Sequence, residues 1–120
     1  MKRETVQNRS VAVLGAGKSG LGVARLLKEK GASVFVSERN DKTEKRSAAD
    51  LLSSLNIPAE FGGHTDKVLY NDWLVVSPGL DISTSIVCQA RDKKLPVYSE
   101  LEVASWFCRS PIVAVTGSNG

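Results

Sequence analysis

Short apolar runs rich in β-branched residues alternate along the chain with segments in which apolar residues recur every three or four positions. Residues 11–14 (Val-Ala-Val-Leu) form the first run and end at a glycine cluster, Gly15-Ala16-Gly17-Lys18-Ser19-Gly20. From Leu21 onward, Val23, Ala24, Leu26 and Leu27 mark one face of a helix that Gly31 stops. A second run over residues 32–36 leads into Ser37 and Glu38, completing a βαβ unit of about 27 residues. Residues 43–55 set Ala48, Ala49, Leu51, Leu52 and Leu55 on a helical stripe, Pro58 closes that unit, and residues 59–61 make a short third strand.

The second half repeats the alternation. Residues 73–76 give a fourth strand, cut off by Ser77-Pro78-Gly79 because proline has no N–H to give a ladder. Residues 83–93 read as a helix and 96–98 as a fifth strand. Ser99-Glu100-Leu101-Glu102 matches a capping box: the serine oxygen accepts from the N3 amide and the glutamate reaches back to the N-cap amide, starting a helix that runs to about Cys108. Ser110-Pro111 reads as a joint, and residues 112–116 as a buried strand. Strands alternating with helices predict an α/β fold, a Rossmann-like parallel sheet with helices on both faces.

Composition narrows the function classes. A chain of 120 residues suits one domain, and 42% hydrophobic with 24% charged residues is ordinary for a globular protein. Sixteen basic against thirteen acidic residues leave a net charge of +3, dispersed rather than banked, which does not point to nucleic acid. No apolar run is long enough to span a bilayer and the first residues lack a signal-peptide core, so a cytoplasmic protein is expected. Cys88 and Cys108 form no CxxC pair and His64 has no neighbouring ligand, so no metal site is expected and both cysteines are read as thiols. No nucleophile–base pair and no paired carboxylates suggest catalysis, and no catalytic residue is assigned.

The first glycine cluster carries the chemistry. Gly15 permits a tight turn, Gly17 lets backbone approach a phosphate and Gly20 allows close packing of helix on sheet, while Lys18 and Ser19 add a cation and a hydroxyl. Glu38 follows Gly17 by about twenty residues, where a carboxylate would accept from a ribose; it could equally accept from the N3–H of uracil, and the residues alone leave both open. A solvated helix start or a purely structural turn would use the same glycines. Ser77, Pro78 and Gly79 lie at the carboxyl edge of the sheet, where open α/β folds place ligands, although a Pro-Gly pair is also an ordinary strand breaker. His64 and Thr65 have the same standing. Trp73 and Trp106 sit in apolar runs and read as core anchors.

A second glycine-rich loop, Thr116-Gly117-Ser118-Asn119-Gly120, follows the strand at 112–116. A strand running into such a loop presents backbone amides to a polyphosphate and normally continues into Lys and Ser/Thr at a helix N-terminus. An oxidoreductase has no reason to end its nucleotide domain this way, which weighs against the rival readings of an NAD(P)-binding oxidoreductase domain or an NAD-sensing domain. A binding-silent interaction domain is the third alternative.

With both loops in view, the chain resembles the Mur ligases, ATP-dependent amide-forming enzymes that build the peptide of the bacterial cell-wall precursor. The resemblance runs from residues 13–20 through His64-Thr65 and Val76-Ser77-Pro78-Gly79-Leu80 to Ser99-Glu100-Leu101-Glu102 and residues 111–120. It is nearest to the members that join D-glutamate to UDP-N-acetylmuramoyl-L-alanine. It implies that residues 1–109 are the UDP-substrate-binding domain and 110–120 the first strand and phosphate loop of a central ATPase domain. Residues 17–20 would cradle the diphosphate, Glu38 and Arg39 would meet the uracil, and Ser77, Pro78 and Gly79 would line the same site. Several relatives carry Asp with an arginine two places later, whereas here Asn40 holds that place. The resemblance further implies ATP and Mg²⁺ as cofactors of the whole enzyme, neither in this stretch alone, an acyl-phosphate intermediate attacked by the amine of D-glutamate, and a monomer.

Overall fold

The computed structural model describes residues 6–77 and 85–107. In chain order the elements are β1 (Ser10–Leu14), α1 (Lys18–Glu29), β2 (Ser33–Glu38), α2 (Arg46–Ser54), β3 (Ala59–Phe61), a 3₁₀ helix (Asp66–Tyr70), β4 (Trp73–Val76), α3 (Ser85–Asp92), β5 (Val97–Ser99) and α4 (Glu100–Trp106). The five strands form one sheet in the order β3-β2-β1-β4-β5, and every pairing is parallel. The expected Rossmann-like α/β architecture is thus the observed one.

Side-chain alternation assigns the two faces. Val11, Val13, Val34, Val36, Trp73 and Val75 point to one side, where they pack with α1 through Val23, Ala24 and Leu27, α2 through Ala48 and Leu52, and α4 through Val103. Ala12, Leu14, Leu74 and Val76 point to the other and meet Val68 of the 3₁₀ helix with Ile86, Val87 and Ala90 of α3. The central strands are apolar on both faces, as a sheet covered on both sides requires. Trp73 is buried and meets Tyr98 and Trp106 edge to face at 5.8 and 5.7 Å between ring centroids, so the tryptophans are core anchors as expected.

Turn chemistry sets the element ends. Gly31 takes φ +97°, Ala32 N donates to Leu27 O and Gly31 N to Lys28 O, a Schellman stop for α1 that a side chain would strain. The capping box of α4 is complete: Glu102 N donates to Ser99 Oγ at 3.1 Å and Ser99 N to Glu102 Oε1 at 2.9 Å. That helix ends at Trp106 in the described residues, and β5 begins at Val97 because Pro96 can contribute only its carbonyl, which accepts from Leu74 N. α2 starts three residues after the expected Thr43, since Asp41 O draws the amides of Glu44 and Lys45 into turns first. The 3₁₀ helix was not expected; Thr65 caps it by accepting from Lys67 N. Cys88 is exposed on α3, while Cys108, Pro78, Gly79 and the strand and loop expected over residues 112–120 lie outside the described residues.

The chain moves outward from β1 to β3, then returns past β1 to β4 and β5, so strand order reverses between β1 and β4. At that switch point the carboxyl ends leave a crevice open to a ligand. Its floor depends on close approach: a Cβ on Gly20 would overlap the carbonyl oxygen of Gly15 and press on Glu100 Oε2 at 3.3 Å. Gly20→Ala is therefore expected to destabilise the domain by about 1–3 kcal/mol in urea denaturation; an unchanged midpoint would contradict this packing.

Candidate nucleotide site

The glycine loop turns sharply out of β1. Gly15 adopts φ +107° and its N donates to Ser37 O at 2.8 Å. Ala16 N then donates to Glu38 Oε1 at 2.7 Å in a buried contact, and Asn40 N donates to Glu38 Oε2 at 3.0 Å. Gly17 is the N-cap of α1, in an extended conformation, and no side chain caps the helix. The first-turn amides of α1 are consequently left for a ligand or solvent, beside the exposed Gly17, Lys18 and Ser19.

Opposite the loop, a cleft of about 480 Å³ is walled by Ala16, Gly17 and Lys18 on one side and by Lys45, Arg46 and Ala48 at the start of α2 on the other. This is within the size range of small-molecule sites. Three cations, Lys18, Lys45 and Arg46, against the single carboxylate of Glu44 make it favourable for an anion. The α2 end also lacks a side-chain cap. Behind the loop stands Glu100, 3% exposed, both carboxylate oxygens without a hydrogen-bond partner among the described residues. Its carboxyl lies beside Gly20, in the first turn of α1.

The structure thus gathers Gly15, Gly17, Lys18, Ser19, Gly20 and Glu38 into one constellation, with exposed Arg39 next to it. Ser77 is half-buried directly after Val76, which pairs with Leu14, so it stands beside Gly15 at the switch point. Glu38 differs from the expectation of an open acceptor: it is 5% exposed and both its oxygens already accept from backbone amides. Its observed work is to tie the glycine loop to the segment after β2. The Lys45 and Arg46 wall and the buried Glu100 carry no sequence signal that would have marked them.

A second cluster joins the candidates His64 and Thr65 to Ser37 and Glu60, which the sequence did not mark as their partners. Ser37 Oγ, fully buried, donates to Glu60 Oε2 at 2.7 Å and lies 2.7 Å from His64 Nδ1. Thr65 Oγ1 donates to Glu60 Oε1 at 2.6 Å and Thr65 N to Glu60 Oε2 at 2.9 Å. Burial raises the Glu60 carboxyl, but the bonds from Thr65 and Ser37 and the charge of His64 outweigh it and hold the group below its usual range. Burial pushes His64 down, opposed by Glu60 and Glu38 and aided by Arg39. No group of three or more His, Cys, Asp or Glu among the described residues could hold a metal ion, and none of their helices is long and apolar enough to cross a membrane.

Both lowered values act in one direction: the folded state binds fewer protons than the unfolded one, so stability falls as pH drops below about 6.5 and again below about 4.5. Urea denaturation should give a lower midpoint at pH 5.5 than at pH 7.5, and His64→Gln should shrink that difference. An identical pH dependence in the variant would contradict the assignment to His64.

Comparison with known proteins places this geometry. Residues 9–99 match the family model of the Mur ligase MurD-like N-terminal domain. The chain is 48% identical over 115 residues to a UDP-N-acetylmuramoylalanine–D-glutamate ligase of Chlorobium phaeobacteroides, covering 96% of this chain and 24% of the relative. It is 44% identical over its full 120 residues to the corresponding ligase of Salinibacter ruber, covering 26% of that protein. It therefore spans about a quarter of the length of the curated relatives it matches. Among solved structures, UDP-N-acetylmuramate-alanine ligase MurC from Thermotoga maritima superposes with TM-score 0.66 at 23% identity, over 79% of this chain and 21% of that one. Shikimate dehydrogenase from Aquifex aeolicus gives 0.55 at 19%, over 84% and 46%, so these two likenesses speak for the fold alone. On the family match and a likeness to its relatives that runs along nearly all of this chain, the chain belongs to the Mur ligase family, as a MurD-like N-terminal domain.

Proposed function

We propose that this chain is the part of an ADP-forming ligase that holds UDP-N-acetylmuramoyl-L-alanine while the rest of the enzyme adds D-glutamate to it. The observation that carries this reading is the uncapped first turn of α1 behind Gly15 and Gly17, facing a cationic cleft, in a chain of the MurD-like family. A diphosphate is the ligand that such a helix end and its Lys18 and Ser19 suit best. In this reading residues 17–20 hold the diphosphate, with Lys18 countering its charge. Arg39 and the backbone of residues 38–40 meet the uracil, Glu38 shapes that segment by bonding Ala16 and Asn40, and Ser77, Pro78 and Gly79 are proposed as further substrate contacts.

The reaction belongs to the whole protein. ATP phosphorylates the terminal carboxylate of the substrate, releasing ADP. The amine of D-glutamate attacks the acyl phosphate, phosphate leaves and an amide forms. Residues 1–109 are proposed as the substrate domain and 110–120 as the opening of the ATPase domain, whose loop at Thr116, Gly117, Ser118, Asn119 and Gly120 would present amides to ATP, with Mg²⁺ supplying charge. A cytoplasmic monomer is proposed, in keeping with a soluble nucleotide-linked substrate. The chain alone is expected to bind substrate without turning over ATP.

Nitrogen–proton NMR titration tests this directly. UDP should shift the amides of residues 17–20 and NAD should leave them in place; shifts with NAD and none with UDP would sink the proposal.

A further inference from the structure

We infer that His64 reads the nucleoside half of the ligand, its Nε2 accepting a hydrogen bond from an O–H or N–H donor of a nucleoside diphosphate. The inference rests on the UDP reading above and deepens it. Ser37 has one hydroxyl proton, and Glu60 can only accept, so that proton goes to Glu60. Ser37 Oγ must then be the acceptor towards His64, which places the ring proton on Nδ1 and leaves Nε2 with its lone pair. Nε2 has no hydrogen-bond partner among the described residues and is not among the side-chain atoms closed off from solvent. The ring is half-buried on a buried serine, and its remaining acceptor looks outward.

The loop that carries His64 is sewn to the nucleotide site. Gly62 N donates to Asn40 O at 2.8 Å and Gly63 N to Glu38 O at 3.3 Å, and Glu38 in turn holds Ala16 of the glycine loop. Gly63 takes φ +145° to make the connection. The charged groups acting on the ring are Glu60 from β3 and Glu38 and Arg39 from the end of β2. When a diphosphate rests on the start of α1 in this fold, the nucleoside extends over the end of β2, where His64 stands. A buried serine and a carboxylate that fix one tautomer of a loop histidine are the arrangement expected of a directional acceptor; pinning the loop alone would need only the Thr65–Glu60 bonds.

The test is titration of the wild type, His64→Ala, His64→Gln and Ser37→Ala with UDP and, separately, with inorganic pyrophosphate. His64→Ala should weaken UDP about tenfold, the worth of one hydrogen bond, and leave pyrophosphate unchanged. His64→Gln should recover most of the loss, because its amide oxygen reaches the place of Nε2, and Ser37→Ala, which unsets the tautomer, should weaken UDP severalfold. The His64→Ala penalty should vanish on 2′,3′-dideoxy-UDP if a ribose hydroxyl is the donor, or on N3-methyl-UDP if the imide is. Equal UDP affinity in wild type and His64→Ala, a parallel loss of UDP and pyrophosphate, or a penalty that persists on both analogues would overturn the role of His64 alone. A wild type that binds pyrophosphate but not UDP would reject the UDP reading and this inference with it.

Discussion

Everything at the carboxyl edge depends on the carboxylate of Glu38. It sits almost wholly out of solvent and accepts from Ala16 N with one oxygen and from Asn40 N with the other. Burying a carboxylate is costly unless hydrogen bonds meet its oxygens, and for Glu38 two loop amides do so. The same two bonds fix the turn after β1 and the segment after β2 against each other. With the Gly15 N bond to Ser37 O, they hold the start of α1 open and uncapped. Gly15 supplies the positive φ that the turn needs, and Gly20 leaves room for the Gly15 carbonyl.

The scaffold supplies rigidity on which this edge can rest. Five parallel strands bury their apolar residues on both faces, and the reversal between β1 and β4 leaves a gap at their carboxyl ends. Charge is arranged around the gap in layers. Lys18, Lys45 and Arg46 face the cleft, Glu38 stands behind the loop, and α1 directs the positive end of its dipole between them. The exposed cationic layer is the one that favours an anion.

Much of the fold was legible because its signals are local. Strand runs and helical stripes each occupy a few consecutive residues, and Gly31 and Ser99-Glu100-Leu101-Glu102 declare their turns through chemistry within six positions. The late start of α2 was not legible, since it turns on whether Asp41 O captures nearby amides before the helix can. The five-residue 3₁₀ helix is too short to carry a period. For the site, the glycines were readable and the work of Glu38 was not: its partner Ala16 comes 22 residues earlier, and only the folded sheet brings them together. Ser37 lies on β2, Glu60 on β3 and His64 in the loop that follows, so only the pairing of β2 with β3 brings the serine to the other two.

In the proposed function the start of α1 receives the diphosphate of a UDP-linked substrate. A crystal structure of this chain soaked with UDP tests it most directly. The diphosphate is expected against the amides of residues 17–20, with the uracil beside Arg39. Density for UDP elsewhere on the surface, with the first turn of α1 holding only solvent, would contradict it.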